Sequence, residues 1–142
     1  MKNRYILIFL ATFLLVFIEA PAFSVELFGH PGQASGYKWQ SAYMDLDSAQ
    51  DFHRGDRIVI RVEGSAEWVK VRLLPESGNP SQPTGLIGSK IKVPANGNLI
   101  IKLGEDRPRI IQISVHAGKE AWGDIINPKG GEIKILRIDL NP

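Results

Sequence analysis

The 142-residue sequence contains no cysteine. Disulfides, thiolate metal sites, cysteine nucleophiles and a lipid-modified N-terminal cysteine are therefore excluded together, since each needs the sulfur atom. An exported domain of this composition must be held by its apolar core, which suits a bacterial envelope better than a small eukaryotic secreted scaffold, usually dense in disulfides. Charge of one sign is also scarce: 17 Lys and Arg against 15 Asp and Glu leave +2, falling to +1 without Lys2, Arg4 and Glu19. So weak a field argues against nucleic acid as a partner. Metal-ligand spacing is missing too, because His30, His53 and His116 are widely dispersed, and no cofactor is expected. No Gly-x-Ser-x-Gly elbow or Walker loop occurs, and no pair of carboxylates is marked out for hydrolysis. The expectation is a protein that is not an enzyme.

What is present begins with a leader. Lys2 and Arg4 precede an apolar run from Tyr5 to Ile18 broken only by Thr12, and Ala20-Pro21-Ala22 supplies small residues at the positions a signal peptidase reads. Residues 1–22 are expected to be a cleaved signal peptide, with cleavage after Ser24 as the alternative. A membrane anchor would need about 20 apolar residues, and Glu19 and Pro21 close this run too early. The exported part is then periplasmic or secreted, with no membrane span after cleavage.

Of the remainder, residues 23–42 hold Gly29, Pro31, Gly32 and Gly36 without a sustained apolar period and read as an extended N-terminal segment. Residues 43–142 read as strands. Ile58, Ile60 and Val62 alternate with Arg57, Arg61 and Glu63; Val69, Val71 and Leu73 with Lys70 and Arg72; Ile111, Ile113 and Val115 with Gln112, Ser114 and His116. Successive strand side chains face opposite ways, so each segment buries one face. Shorter strands are predicted at Tyr43–Leu46, Lys90–Val93 and Leu99–Leu103. From Glu132 to Leu140 the alternation changes phase, which a bulge near Ile135 or a strand buried on both faces would explain. Turn signals at Arg54-Gly55-Asp56, Glu63-Gly64-Ser65, Asn96-Gly97-Asn98 and Lys129-Gly130-Gly131 separate the strands. No helical stripe competes. The fold class predicted is all-β, an antiparallel two-sheet β-sandwich or a small barrel, and about 120 residues are enough to bury a core.

Two stretches carry candidate chemistry. If the three alternating strands share a sheet, Arg61, Lys70, Arg72, Gln112, Ser114 and His116 share its outer face, which could hold an anionic or polyhydroxylated ligand; the plain alternative is the wet face that antiparallel sheets often keep. Trp122 and Asp124 follow His116 closely, and an indole beside polar groups suits a pyranose ring; Trp122 could equally plug the sandwich core. Trp68 has the parity of Lys70 and Arg72. Trp39, with Tyr37 and Tyr43, forms a second aromatic group, either a second platform for a ligand or, the favoured reading, a lid over a sandwich edge. Ser114 and His116 lie about 6.5 Å apart along one strand, a spacing read as too long for a direct bond. Arg54-Gly55-Asp56 spells an adhesion tripeptide, but the turn before a strand accounts for it.

The order of these signals, with Gly55-Asp56 entering an early strand and Ile138-Asp139 near the final one, resembles the galactose-binding-like jelly rolls of carbohydrate-binding modules over Tyr43–Leu140. The resemblance implies a jelly-roll-like sandwich that grips sugars on a concave sheet face or at its loops. Some relatives hold a structural calcium near the termini, and Asp139 stands where such a ligand would; no other ligand can be identified. The expectation that follows is an exported, non-catalytic module binding a carbohydrate or another polar envelope ligand through Arg72, Gln112, His116, Trp122, Asp124 and Trp68. The alternative is an envelope protein that binds another protein through a sheet face.

Overall fold

A computed structural model describes residues 24–142. The expected signal peptide, 1–22, lies outside the described residues. The described chain is all strand and turn: β1 (Val25–Glu26), β2 (Gly29–Ser35), β3 (Trp39–Phe52), β4 (Arg57–Glu63), β5 (Trp68–Pro75), β6 (Leu86–Lys92), β7 (Asn98–Lys102), β8 (Arg107–Gly118), β9 (Glu120–Ala121), β10 (Asp124–Ile125) and β11 (Lys134–Leu140). They form a four-stranded sheet in the order β1-β11-β4-β7, a five-stranded sheet β2-β3-β8-β5-β6 and a two-stranded hairpin β9-β10. All pairings are antiparallel. This is a β-sandwich, and no helix among the described residues is long and apolar enough to cross a membrane.

The two-residue period builds it. Ile58, Ile60 and Val62 of β4 and Leu99 and Ile101 of β7 join Val69, Val71 and Leu73 of β5 and Ile113 and Val115 of β8 in one core. Burying each such side chain contributes about 1.5–3 kcal/mol. The phase change near the C-terminus is a bulge. Ile135 pairs with Val62 and Arg137 with Arg61, so Leu136 is the extra residue, while Ile135 and Ile138 both reach the core. Leu136 itself is 45% exposed.

Three features depart from the sequence reading. Within 23–42, Gly29–Ser35 forms a full edge strand, paired with β3 from Gly29↔Leu46 to Ser35↔Gln40. Strand β3 runs for 14 residues rather than the four predicted, with its register to β8 breaking between Asp45 and Gln50. And β4 lies in the opposite sheet from β5 and β8, so Arg61 does not share a face with Arg72 and His116. Period-two alternation says which side of a strand is dry; it does not say which strands pair.

Two acidic motifs prove structural. Both oxygens of Asp56 serve the turn and the C-terminus: Oδ2 accepts the His53 N–H at 2.8 Å and Oδ1 the Asn141 side-chain amide at 3.2 Å. Asp139 accepts from the Arg137 guanidinium through both oxygens, at 2.8 to 3.1 Å.

Candidate binding cleft

The outer face of the five-stranded sheet is read off its register. One row crosses it as Gly32, Tyr43, Ser114 and Arg72; the next as Ala34, Ser41, His116 and Lys70; a third places Asp45 beside Gln112. Those on β3, β5 and β8 alternate with core residues, Ala42, Val115 and Val71 among them. The row is thus bolted to the hydrophobic interior.

Arg72 is the centre. It is only 4% exposed, and its planar fork finds acceptors on three sides. Nε donates to Ser114 Oγ at 3.2 Å, Nη1 to the carbonyls of Pro80 and Gln82 at 2.8 and 3.3 Å, and Nη2 to Gln112 Oε1 at 3.3 Å. Gln112 in turn donates to Asp45 Oδ1 at 2.8 Å. The loop between β5 and β6 is thereby drawn over the sheet as one wall of a cleft. Burial lowers the pKa of Arg72 from its ordinary value.

Beside it, Ser114 Oγ lies 2.7 Å from His116 Nε2. The 6.5 Å spacing along the strand was too pessimistic: side chains of i and i+2 on one face lean toward each other, and a serine and an imidazole together close the gap. Since Ser114 already accepts from Arg72, its own proton satisfies Nε2 when His116 is neutral with its proton on Nδ1. His116 is held neutral. Burial, then the charges of Arg72 and Lys70, push its pKa from 6.5 down to about 3.

The second wall is the β9-β10 hairpin. Its two-residue turn is Trp122-Gly123, with φ of +49° and +84°. Positive φ at both central positions is the mark of a type I′ hairpin, in which asparagine and glycine are favoured. A tryptophan at the first position bears left-handed strain, and the ring is aimed at the sheet. Its centroid is 5.4 Å from Arg72 Cζ and 4.5 Å from the His116 ring, tilted by 56°. Two anchors hold the hairpin down. Asn127, 4% exposed, accepts the Trp68 N–H at 2.9 Å and donates to the Trp68 carbonyl at 2.9 Å and the Gly118 carbonyl at 3.1 Å. Buried Lys70 donates to Asp124 Oδ2, and that bond holds the Asp124 carboxyl below its usual pKa.

The third side comes from the β2–β3 hairpin. The Tyr43 ring lies on Gly32 and the Trp39 indole on Gly36, so closely that a Cβ on either glycine would sit 2.2 to 2.3 Å from the aromatic atoms. That explains why glycines interrupt this stretch. Together the walls enclose a cleft of about 500 Å³ lined by Trp39, Tyr43, Arg72, Gln112, His116 and Trp122, with Lys38 and Glu120 at 3.5 Å from each other on its margin.

Of the residues singled out from the sequence, the structure brings Arg72, Gln112, His116 and Trp122 into this cleft, while Trp68 and Asp124 do not line it. Trp68 sits under Lys90, whose Nζ is 4.7 Å from its ring, and Asp124 is spent on Lys70. Trp122 is half-buried in the cleft wall and outside the sandwich core. Trp39 and Tyr43 line the cleft as well, in keeping with the platform alternative rather than the favoured edge lid. Asn127 was not singled out: a lone asparagine in a Gly-Pro-rich stretch carries no periodic signal of burial.

No protein-family model and no curated protein matches this sequence. Among solved structures, the chain is similar to chitosan-binding module 1 of a chitosanase/glucanase from Paenibacillus sp. IK-5, with 18% identity and a TM-score of 0.40 over 84% of this chain and 80% of that one. It is also similar to a periplasmic inhibitor of g-type lysozyme from Aeromonas hydrophila, with 14% identity and a TM-score of 0.34 over 87% of this chain and 91% of that one. Neither likeness assigns a ligand to this chain.

Proposed function

We propose that this protein is an exported, non-catalytic binding module of the jelly-roll kind, acting in the periplasm or outside the cell, and that its cleft takes a carbohydrate. One observation carries the reading: aromatic rings, Trp39, Tyr43 and Trp122, bound a cleft of about 500 Å³ whose floor is a row of hydrogen-bonding side chains. Flat apolar faces and in-plane hydroxyls are the two surfaces of a pyranose, and a mainly apolar cleft with a few convergent polar groups meets both.

The Ser114–His116 pair supports binding over catalysis. A general base works best with a pKa near the operating pH, and His116 has been pushed down to about 3. Ser114 is 1% exposed and already accepts from Arg72, so it is both weakly activated and shielded from a substrate.

A protein partner is the second reading, favoured by Tyr37, Ile125 and Trp39, which are 91%, 62% and 46% exposed on the two hairpins that flank the cleft. The two readings separate on a glycan array followed by calorimetry. Carbohydrate binding that weakens at least tenfold in Trp122→Ala, with an unchanged circular dichroism spectrum, supports the sugar cleft. An array without a single hit refutes it in favour of the protein partner.

A further inference from the structure

Buried ionised groups are ordinarily paired with an opposite charge, because an unpaired one forfeits its hydration without return. Arg72 departs from this rule. Its four acceptors, Ser114 Oγ, two backbone carbonyls and Gln112 Oε1, are all neutral. Among the described residues no carboxylate comes within ion-pair distance of it, whereas Lys70, the other buried cation of this face, has Asp124. The nearest acid in its network, Asp45, is one residue removed, behind the Gln112 amide. Lys38 and Glu120 on the margin offset each other, and His116 is neutral, so the cleft keeps one positive charge at its floor. Of the five N–H donors of a guanidinium, four are engaged, and an Nη2 hydrogen is left over.

Trp122 sharpens the point. A guanidinium under an indole face is weakly hydrated and well positioned, and this one is held there by a residue in a strained left-handed conformation. Strain of this sort is characteristic of ligand clamps. A hairpin built only to cover the sheet would be better served by asparagine at that position.

From these observations we infer that the saccharide is acidic: the cleft selects sugars carrying a carboxylate or sulfate, whose anionic group completes the charge of Arg72 while the ring rests against Trp122 or Trp39. This rests on the carbohydrate reading above and narrows it. The class excluded is as definite as the class chosen. Sugars bearing ammonium groups are repelled, and neutral sugars leave the guanidinium without its counter-charge.

The test compares ligands that differ in charge alone on the unmodified full chain. Trigalacturonate and its methyl ester share length and stereochemistry, and a glycan array carrying neutral, carboxylated, sulfated and amino oligosaccharides covers the wider choice. Binding confined to acidic glycans is expected, at least tenfold tighter than to matched neutral ones, as charge-assisted hydrogen bonds are about twice as strong as neutral ones. That preference should shrink as salt rises from 50 to 500 mM, and carboxylated against sulfated hits tell the two anions apart. Arg72→Gln should abolish the preference between the charged and neutral members of the pair. Should that variant not fold, the charge-matched ligand pair and the salt series on the unmodified protein decide alone. Hits among neutral or amino glycans, equal to or tighter than the acidic ones, overturn the acidic preference and leave the carbohydrate reading standing. An array without hits overturns both.

Discussion

Protonating His116 in the folded protein means placing a third cation beside Arg72 and Lys70 in a largely desolvated site. Its pKa there is about 3 against an ordinary 6.5. The unfolded chain takes up this proton as pH falls through 6.5, and the folded chain refuses it until about pH 3. His116 therefore withdraws no stability above pH 6.5 and progressively withdraws it between 6.5 and 3. Each pH unit in that window is worth about 1.4 kcal/mol, so roughly 2 kcal/mol should be lost between pH 7 and pH 5. Carboxylates also titrate in acid, and the comparison that isolates the imidazole is with His116→Gln, whose amide can still meet Ser114 Oγ. Urea unfolding at pH 7, 6 and 5 should show the unmodified protein losing about 2 kcal/mol relative to the variant, and the His116 ring protons should keep their neutral chemical shifts throughout. Stability profiles of the two proteins that run parallel to within about 0.5 kcal/mol would refute the desolvated, doubly flanked imidazole that supports the proposal of binding over catalysis.

Three further outcomes follow from the same geometry. Asn127→Ala strands the Trp68 N–H and two carbonyls in a buried position and should cost about 2–4 kcal/mol in chemical denaturation; a loss below about 0.5 kcal/mol would mean water replaces the amide at no cost. Trp122→Asn should leave stability within about 1 kcal/mol of the original, because relief of left-handed strain offsets the lost stacking on Arg72 and His116, while calorimetry shows saccharide binding lowered at least tenfold. Gly32→Ala puts a methyl where the Tyr43 ring lies and should displace that ring, seen as a changed Tyr43 environment by NMR and weaker saccharide binding with the sheet intact; an unmoved Tyr43 signal would contradict the close packing of the two.

Much of the scaffold was legible in the sequence because the core is written in period two. Ile58, Ile60 and Val62, Val69, Val71 and Leu73, and Ile113 and Val115 are all buried as their alternation demands, whereas Ile111 gives its place to Ile110; the phase slip near Ile135 left a bulge and a doubly buried strand open, and the pairing shows the bulge. Strand β2 was illegible for a physical reason: its exposed edge needs only backbone pairing, and its Gly32 is a bed for Tyr43 rather than a core residue, as Gly36 just past the strand is for Trp39. Sheet membership was equally hidden. Arg61 has the same alternation as Arg72, and only the pairing of β4 with β11 and β7 takes it to the other side of the molecule. For the cleft, parity placed Arg72, Gln112 and His116 on one face, whereas the separation of Trp68 and Asp124 from Trp122 depends on how a hairpin of six residues lies across that face. Asn127 and the Lys70–Asp124 bond decide that, and both are long-range contacts that no local pattern encodes.

The division of labour between floor and walls has an evolutionary reading. Arg72, Ser114 and His116 are flanked in sequence by side chains of the interior, so any shift of these three is resisted by the whole packed middle of the sandwich. The segments 76–85 and 119–131 that rise around them belong to no such layer and are fastened at a few points. Away from fastenings such as Asn127 and Ile126, mutation can therefore lengthen, shorten or recolour the rim with little cost to folding, and a lineage could exchange one ligand for another by editing two loops while the charged base beneath them stays where it is.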